Sequence, residues 1–165
     1  MKIQSLCTDD CIDEVIEKYS ATVYRLAYSR LQSKSDADDV FQEVFLRYIS
    51  KARTFASEEH RKAWLIRVTI NCCKKLWSSA WFKKTVPLED TITFEMPEES
   101  GLSETIAALP PKYRTVIHLF YYEELKITDI CKATGLGENT VKSRLHRARN
   151  LLREKLREVG LNEFE

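Results

Sequence analysis

The sequence predicts an all-α protein built from two small helical domains joined by an acidic linker. Glycine and proline are scarce, with four of each in 165 residues, and charged residues make up 31% of the chain. Apolar side chains recur at intervals of three and four residues, which is typical of helices rather than strands. Because a chain of this length can hold two small cores, we predict domains at residues 8–78 and 102–160 and a linker at 79–101.

The first helix is predicted to begin near Thr8 or Asp9, whose side chains can accept hydrogen bonds from its first backbone amides. It should end near Leu31. Its apolar residues follow helical spacing and should form one side of the first core; they are Ile12, Val15, Ile16, Tyr19, Val23, Leu26 and Ala27.

Ser35, followed three residues later by Asp38, predicts the start of a second helix. Its predicted buried stripe is Val40, Phe41, Val44, Phe45, Tyr48 and Ile49. The opposite side carries an acidic and polar strip with an apolar edge, made of Asp36, Asp39, Gln42, Glu43 and Leu46. Such a strip usually faces water, but it can also bind a protein partner, and composition alone leaves both interpretations open.

A loop from Phe55 to Arg61, with a helix cap at Ser57, should lead into a third helix that runs to about Trp77. Its cations alternate with aromatic residues; the set is Arg61, Lys62, Arg67, Lys74 and Lys75 with Phe55, Trp64 and Trp77. This mixture suits single-stranded nucleic acid, because phosphates need positive charge and unpaired bases need an aromatic surface or a polar pocket. The alternative is that Trp64 and Val68 belong to the core. The candidates are then the loop and the face of Arg67, Asn71 and Lys74.

Charge is segregated along the chain although the net charge is only +1. Residues 61–84 carry seven basic and no acidic side chains, whereas residues 85–111 carry six acidic and no basic ones. Pro87 and Pro97 also interrupt any helix in the acidic segment. Two basic regions on either side of an acidic linker suggest two separate contacts with nucleic acid.

The second domain should start with short helices at Leu102–Leu109 and Tyr113–Tyr122 and end in a helix-turn-helix over residues 127–156. Gly135 and Gly137 permit a sharp turn, and the last helix should bury Val141, Leu145, Ala148 and Leu152. Its other face places cations beside short polar side chains that can reach phosphates and base edges; these residues are Asn139, Lys142, Ser143, His146 and Arg147. Seven Lys or Arg against two acids at residues 138–157 favour DNA binding over a merely solvated face.

Other classes of function have little support in the sequence. There is no glycine-rich phosphate loop and no Ser, His and Asp set, so we expect neither an enzyme nor a small-molecule substrate. Cys7 and Cys11 have the spacing of a helical pair, but no further ligands complete a zinc set, and no metal or cofactor is expected. The absence of a signal segment and of any run of about 20 apolar residues predicts a cytoplasmic protein with no membrane span.

Three stretches together resemble one known family. They are SKSDADDVFQEVFLRYI, HRKAWLIRVTINCCKKL, and the long C-terminal stretch that begins with LPPKYR and contains TVKSRLHRAR. The combination resembles the extracytoplasmic-function sigma factors, which are small two-domain specificity subunits of bacterial RNA polymerase. The resemblance covers most of the chain, and the C-terminal match is its most specific part.

The resemblance implies a role for each surface. Asp39, Gln42 and Glu43 would contact the clamp helices of the polymerase's largest subunit. The segment Phe55 to Arg61 and Asn71 would hold flipped bases of the minus-10 element's non-template strand, and the candidate cations Arg67 and Lys74 lie on the same helix face as Asn71. Asn139, Lys142, Ser143, His146 and Arg147 would read the minus-35 element in the major groove, with Arg147 as the main specificity residue. The family also implies an anti-sigma factor that covers these surfaces until a signal releases it.

The chain departs from the family's pattern at three positions. Lys75 and Ser78 stand where many members carry Asp and Arg, and Gly137 stands where a branched apolar residue is frequent. Two other classes of protein remain open. A stand-alone helix-turn-helix regulator would bind duplex DNA without polymerase, and a helical enzyme or adaptor would bind no DNA in a salt-dependent way.

Overall fold

The structure, a computed structural model, describes residues 6–7, 12–50, 54–79 and 101–158, with the backbone alone at residues 6, 7 and 101. These residues form two compact units, one before and one after residues 80–100. The elements of the first unit are β1 (Leu6–Cys7), α1 (Ile12–Leu31), α2 (Lys34–Ser50), β2 (Thr54–Phe55) and α3 (Glu58–Ser79). Those of the second are α4 (Gly101–Ala107), α5 (Pro111–Ile117), a π-helix (His118–Tyr122), α6 (Ile127–Thr134) and α7 (Glu138–Glu158).

The first unit is a three-helix bundle in which α1, α2 and α3 pack pairwise. Each helix turns one apolar stripe inward, as the spacing of three and four predicts. The side chains that lose nearly all their exposure include Val23 and Leu26 of α1, Val44 and Tyr48 of α2, and Leu65 and Ile66 of α3. The predicted core stripe of α1 is therefore largely confirmed.

The connection between α1 and α2 is tighter than the sequence predicts. Gln32 adopts a left-handed φ of 54°, and its amide donates to the Tyr28 carbonyl at 2.8 Å, which ends α1. Ser33 then caps α2, because its Oγ accepts a hydrogen bond from the Asp36 amide at 3.3 Å. The predicted cap at Ser35 is wrong by two residues, since Ser35 already lies within the first turn of α2.

A short antiparallel pair joins the start of the chain to the segment before α3. Leu6 is paired with Phe55 and Cys7 with Thr54. These strands were not predicted, because they are two residues long and 47 or more positions apart. The predicted loop from Phe55 to Arg61 is consequently shorter, with only residues 56 and 57 between β2 and α3. Ser57 caps α3 as predicted, since its Oγ accepts from the His60 amide at 3.1 Å.

The carboxylate of Glu58 ties the start of α3 to α1. It accepts a 2.6 Å hydrogen bond from the Tyr19 hydroxyl, a 2.7 Å bond from the Arg61 guanidinium and a longer contact of 3.4 Å from Lys18. Burial acts to raise the pKa of Glu58, but these donors outweigh it, so the pKa lies below its usual value. The carboxylate form is thus the one that the fold stabilises.

In the second unit α4, α5 and α6 each pack against α7, and α5 and α6 also contact the π-helix between them. Pro111 is the first residue of α5, where its missing N–H costs nothing, so this helix begins two residues before the predicted position. At His118 the hydrogen bonding changes from α-helical to π-helical, since the Glu123 amide donates to the carbonyl five residues earlier, that of His118, at 3.1 Å. The predicted helix from Tyr113 to Tyr122 is therefore an α-helix continued by one π-turn.

The predicted fold class is confirmed, since helices make up most of both units and the two-residue strands β1 and β2 are the one exception among the described residues. The predicted domain limits of 8–78 and 102–160 stay predictions at their ends. Residues 8–11, 80–100 and 159–165 lie outside the described residues, and with them the predicted start of the first helix and all of the linker at 79–101 except its two end residues, which belong to α3 and α4.

Tyr19→Phe removes the hydroxyl that donates to Glu58 and should lower the free energy of unfolding of the first unit by about 1 kcal/mol at pH 7. Because the folded pKa of Glu58 is lowered, its stabilisation is present above the usual value of 4.5 and is lost as the pH falls through the folded pKa. The difference between variant and wild type should therefore shrink at pH 3.5.

Urea unfolding followed by tryptophan fluorescence measures this difference, because all three tryptophans lie at or before residue 81 and report on the first part of the chain. Tyr28→Phe, on the same helix and partly exposed, is the control and should show no such pH dependence. An equal loss at pH 7 and pH 3.5 for Tyr19→Phe would contradict the role given to the Glu58 carboxylate.

Candidate nucleic-acid interface

The α7 helix separates a buried stripe from an exposed polar face. Val141, Leu145 and Ala148 are almost completely buried. All five residues predicted to read duplex DNA are exposed, namely Asn139, Lys142, Ser143, His146 and Arg147. The arrangement leaves this face accessible along about two and a half turns of helix, while the opposite stripe holds α7 to the unit.

The turn before α7 depends on one of its two glycines. Gly135 has a left-handed φ of 76° and ends α6, where its amide donates to the Cys131 carbonyl at 2.8 Å. Gly137 does not need this conformation, since Gly135 is the glycine with positive φ in the described residues. The Gly137 carbonyl instead accepts from the Val141 amide at 3.1 Å, in the first turn of α7. The prediction that both glycines make the turn is thus correct for Gly135 alone.

Two side chains of the exposed α7 face have partners on the same helix. Lys142 pairs with Glu138 at 2.6 Å, and this hydrogen bond lowers the pKa of Glu138. His146 Nε2 lies 3.3 Å from the Asn150 amide nitrogen. Exposed pairs of this kind are weak, so an incoming phosphate or base can replace either partner at little cost.

The side chains of Arg147 and Arg149 on α7 interact with residues of neighbouring elements. The Arg147 side chain hydrogen-bonds to the hydroxyl of Tyr113 on α5, which lowers the pKa of Tyr113. Arg149 Nε donates to the Tyr121 hydroxyl at 2.8 Å, and its guanidinium lies about 5.5 Å from the ring centres of Phe120 and Tyr121. Sequence reasoning missed both contacts, because helical spacing cannot show which arginines of a basic helix meet aromatic residues elsewhere.

A second exposed cationic face lies on α3. Arg67, Asn71 and Lys74 are exposed and follow one another at intervals of four and three residues, so they lie on the same side of the helix. The buried residues Leu65, Ile66 and Ile70 face the bundle. The structure therefore brings these three predicted contacts together on one accessible surface.

Phe55 and Arg61, the other two residues predicted to contact minus-10 DNA, lie in the core instead. Phe55 is 2% exposed and Arg61 3%. The Phe55 ring is stacked near Tyr48, with ring centres 6.1 Å apart, and the Arg61 guanidinium lies 5.5 Å from the Phe55 ring centre. In this conformation neither side chain can reach DNA, because the packing with α1 and α2 takes up the surface that the sequence assigned to binding.

The predicted polymerase-binding residues lie along α2. Gln42 and Glu43 are exposed, and Asp39 is partly buried. Glu43 accepts a 2.8 Å hydrogen bond from Arg47 one turn later. Asp39 and Glu43 also line a groove of about 290 Å³ between α2 and α3, whose other wall includes Lys75 and Leu76.

An exposed apolar pair continues the strip on α2. Leu46 is 61% exposed and Ile49 48%, and the two are neighbours at three-residue spacing. The sequence placed Ile49 in the core stripe, and that prediction is wrong. Helical spacing alone could have suggested the error, because Ile49 lies one turn after Leu46 at the edge of the stripe.

The described residues form neither a metal site nor a membrane span. Across residues 12–50, 54–79 and 101–158, no three His, Cys, Asp or Glu side chains are placed to hold a metal ion. Each helix in the same ranges is too short or too polar to cross a membrane. The buried thiol of Cys73 has a pKa raised to about 12, mainly by burial.

Comparison with known proteins divides the chain in the same way as the structure. Residues 15–83 match the family model for sigma-70 region 2, and residues 101–152 match that for sigma-70, region 4. The chain is 31% identical over 159 residues to the RNA polymerase sigma factor SigV of Bacillus subtilis, covering 89% of this chain and 92% of SigV. It is 29% identical to the ECF RNA polymerase sigma factor SigW of the same organism, with 91% of each chain covered.

Solved structures share the fold. The sigma factor RpoE of Bartonella quintana, in complex with the anti-sigma factor NepR, is 20% identical with a TM-score of 0.65, covering 88% of this chain and 96% of RpoE. CnrH, in complex with the cytosolic domain of CnrY, is also 20% identical, with a TM-score of 0.62 and coverage of 89% and 88%. The two regional matches and the identity to SigV and SigW show that the chain belongs to the extracytoplasmic-function sigma factors of bacterial RNA polymerase.

Proposed function

We propose that this sigma factor docks on core polymerase through the exposed face of α2 and recognises the promoter through the exposed faces of α3 and α7. As a member of its family, it is a non-catalytic initiation factor that directs promoter-specific transcription, and the polymerase performs the chemistry. The assignment of roles to individual residues rests on one observation, the separation of buried and exposed stripes on these helices. Each helix keeps its predicted polar face accessible while its apolar stripe holds the unit together.

The two domains take different tasks in this proposal. Residues 8–78 bind core polymerase and the melted minus-10 element, and residues 102–160 bind the minus-35 duplex. The linker at 79–101 connects them. The match of residues 15–83 to region 2 and of residues 101–152 to region 4 supports this division.

Docking on the clamp helices of the polymerase's largest subunit is assigned to Asp39, Gln42 and Glu43. Leu46 and Ile49 extend this surface with apolar area that water now covers. Protein interfaces commonly surround an apolar centre with a polar rim. An acidic strip next to two exposed aliphatic side chains has this composition.

Minus-10 recognition is assigned to Arg67, Asn71 and Lys74. The two cations can follow phosphates, and the Asn71 amide can hydrogen-bond to an unpaired base, whose removal from the duplex costs a few kcal/mol. In this proposal Phe55 and Arg61 act indirectly and do not contact the DNA themselves. Their packing in the core fixes the turn at residues 56–57, which borders the N-terminal end of α3.

Minus-35 recognition is assigned to Asn139, Lys142, Ser143, His146 and Arg147. Residues near the N-terminal end of a recognition helix contact base edges in the major groove, and an arginine can pair with guanine through two hydrogen bonds. Arg147 is the main specificity residue in this assignment.

Regulation by an anti-sigma factor is a further part of the proposal. RpoE, which shares this fold, was solved in complex with the anti-sigma factor NepR, and CnrH was solved with the cytosolic domain of CnrY. We place this chain in the bacterial cytoplasm, where polymerase and promoter DNA are found.

Run-off transcription with purified core polymerase on a pool of promoter fragments tests the proposal as a whole. We expect transcripts that depend on the protein and share motifs upstream of their start sites. A protein that binds no core polymerase but still selects duplex sites would instead be a stand-alone regulator. If it also lacked salt-dependent affinity for DNA, the adaptor interpretation would replace both.

Changing Asp39, Gln42 and Glu43 together to alanine should weaken binding to core polymerase at least about tenfold, which is 1.4 kcal/mol. The matched control replaces Asp13, Glu14 and Glu17, which are exposed on α1. The control removes more negative charge than the test variant, so a general charge effect would appear there first. Fluorescence anisotropy with labelled protein measures both, and equal affinities would refute the docking assignment.

Arg147→Ala should reduce discrimination between the preferred minus-35 sequence and single-base variants, by about 1–3 kcal/mol at one position. Arg153→Ala, also exposed on α7, is the control and should weaken all sequences alike, with a smaller salt dependence. Competition binding with the holoenzyme separates the two patterns. A uniform loss for Arg147→Ala would mean that this residue contacts phosphate and not a base.

A further inference from the structure

The aromatic residues that alternate with cations around α3 are not equivalent in the structure. Phe55 is buried, and the half-buried Trp64 ring lies about 6 Å from the rings of Phe55 and Tyr48. Trp77, at 38% exposed, is the most accessible Phe, Tyr or Trp of the described residues 12–79. Among the described residues of this unit, Trp77 therefore offers the most accessible aromatic surface for an unpaired base.

The Trp77 ring is supported from beneath by a buried cation. The guanidinium carbon of Arg30, on α1, lies 5.0 Å from the ring centre, and Arg30 is only 5% exposed. A cation at this distance is attracted by the face of the indole. This contact holds the ring in place against the bundle, so its exposed surface requires little further ordering when a ligand arrives.

Trp77 also continues the row of predicted DNA contacts. Asn71, Lys74 and Trp77 follow one another at three-residue intervals on α3, and residues three apart form a ridge that crosses the helix surface at about 45°. Lys74 thus has the Asn71 amide on one side and the indole on the other. A single strand that crosses α3 along this ridge meets a hydrogen-bonding group, a cation and an aromatic ring in turn.

We propose that Trp77 is a stacking platform for an unpaired base of the non-template strand, placed two steps along the ridge from Asn71, beyond Lys74. The proposal rests on the minus-10 assignment made above and adds a contact that is tolerant of base identity, because every base has a π-face. Lys74 binds a phosphate between this base and the base that Asn71 holds. Arg30 is a positioning residue, since it touches the ring and not the DNA.

The test uses the holoenzyme and a forked promoter whose non-template strand is unpaired around the minus-10 element. 2-Aminopurine replaces one unpaired base at a time, and its fluorescence falls when it stacks. We expect wild-type holoenzyme to quench one position that Trp77→Ala leaves bright, while Trp77→Phe keeps most of the quenching. Fork affinity should fall roughly tenfold for Trp77→Ala.

Tyr122→Ala removes an exposed aromatic side chain from the second unit and should leave every position quenched as in the wild type. Unchanged core binding by Trp77→Ala shows that the variant is folded. If Trp77→Ala then quenches every position like the wild type while run-off transcription persists, the stacking proposal is overturned and the sigma function stands. If wild-type holoenzyme neither binds the fork nor starts transcription, the minus-10 assignment fails and the stacking proposal with it.

Discussion

One constraint governs both units: each long helix must bury one stripe of side chains and still expose another. In α2 the buried stripe includes Val44 and Tyr48, in α3 Leu65 and Ile66, and in α7 Val141 and Leu145. A unit of this size has no layer of structure that serves packing alone. The accessible faces of α2, α3 and α7 are therefore what remains after the core has taken the residues it needs, and their width is set by packing.

The same constraint explains why charge is an unreliable guide to the surface. Arg30 and Arg61 both lie in the core, where the ring of Trp77 and the carboxylate of Glu58 compensate for the water they lose. Burying an arginine is costly unless such partners are present. The Arg30 contact with Trp77 joins α1 to α3 directly. Arg61 and Glu58 both lie on α3, and it is the bond from Tyr19 to Glu58 that connects this pair to α1.

This division decides how much could be predicted from the sequence. The exposed faces of α7 and α3 follow from helical spacing, which is a local property, and all the residues placed there except Phe55 and Arg61 are accessible. The burial of Phe55 and Arg61 depends on contacts with distant parts of the chain. One is the bond from Tyr19, 39 residues before Glu58, and the other is the pairing with a strand from the start of the chain. Contacts at such separations leave no mark in local periodicity. The cap at Ser33 was missed for a related reason, because it requires a left-handed residue at Gln32, where glycine or asparagine would have been expected.

The π-turn at His118–Tyr122 has a consequence for the history of the second unit. A turn closed five residues back holds one residue more than an α-turn, so it is the form that a single-residue insertion takes when a helix absorbs it without a loop. Phe120 and Tyr121 lie within that turn, and their rings contact Arg149. A relative with an unbroken α-helix here would be one residue shorter, and its aromatic residues would be rotated away from the equivalent arginine. Alignments of this family should therefore admit a gap between α5 and α6, and the arginine should vary together with it.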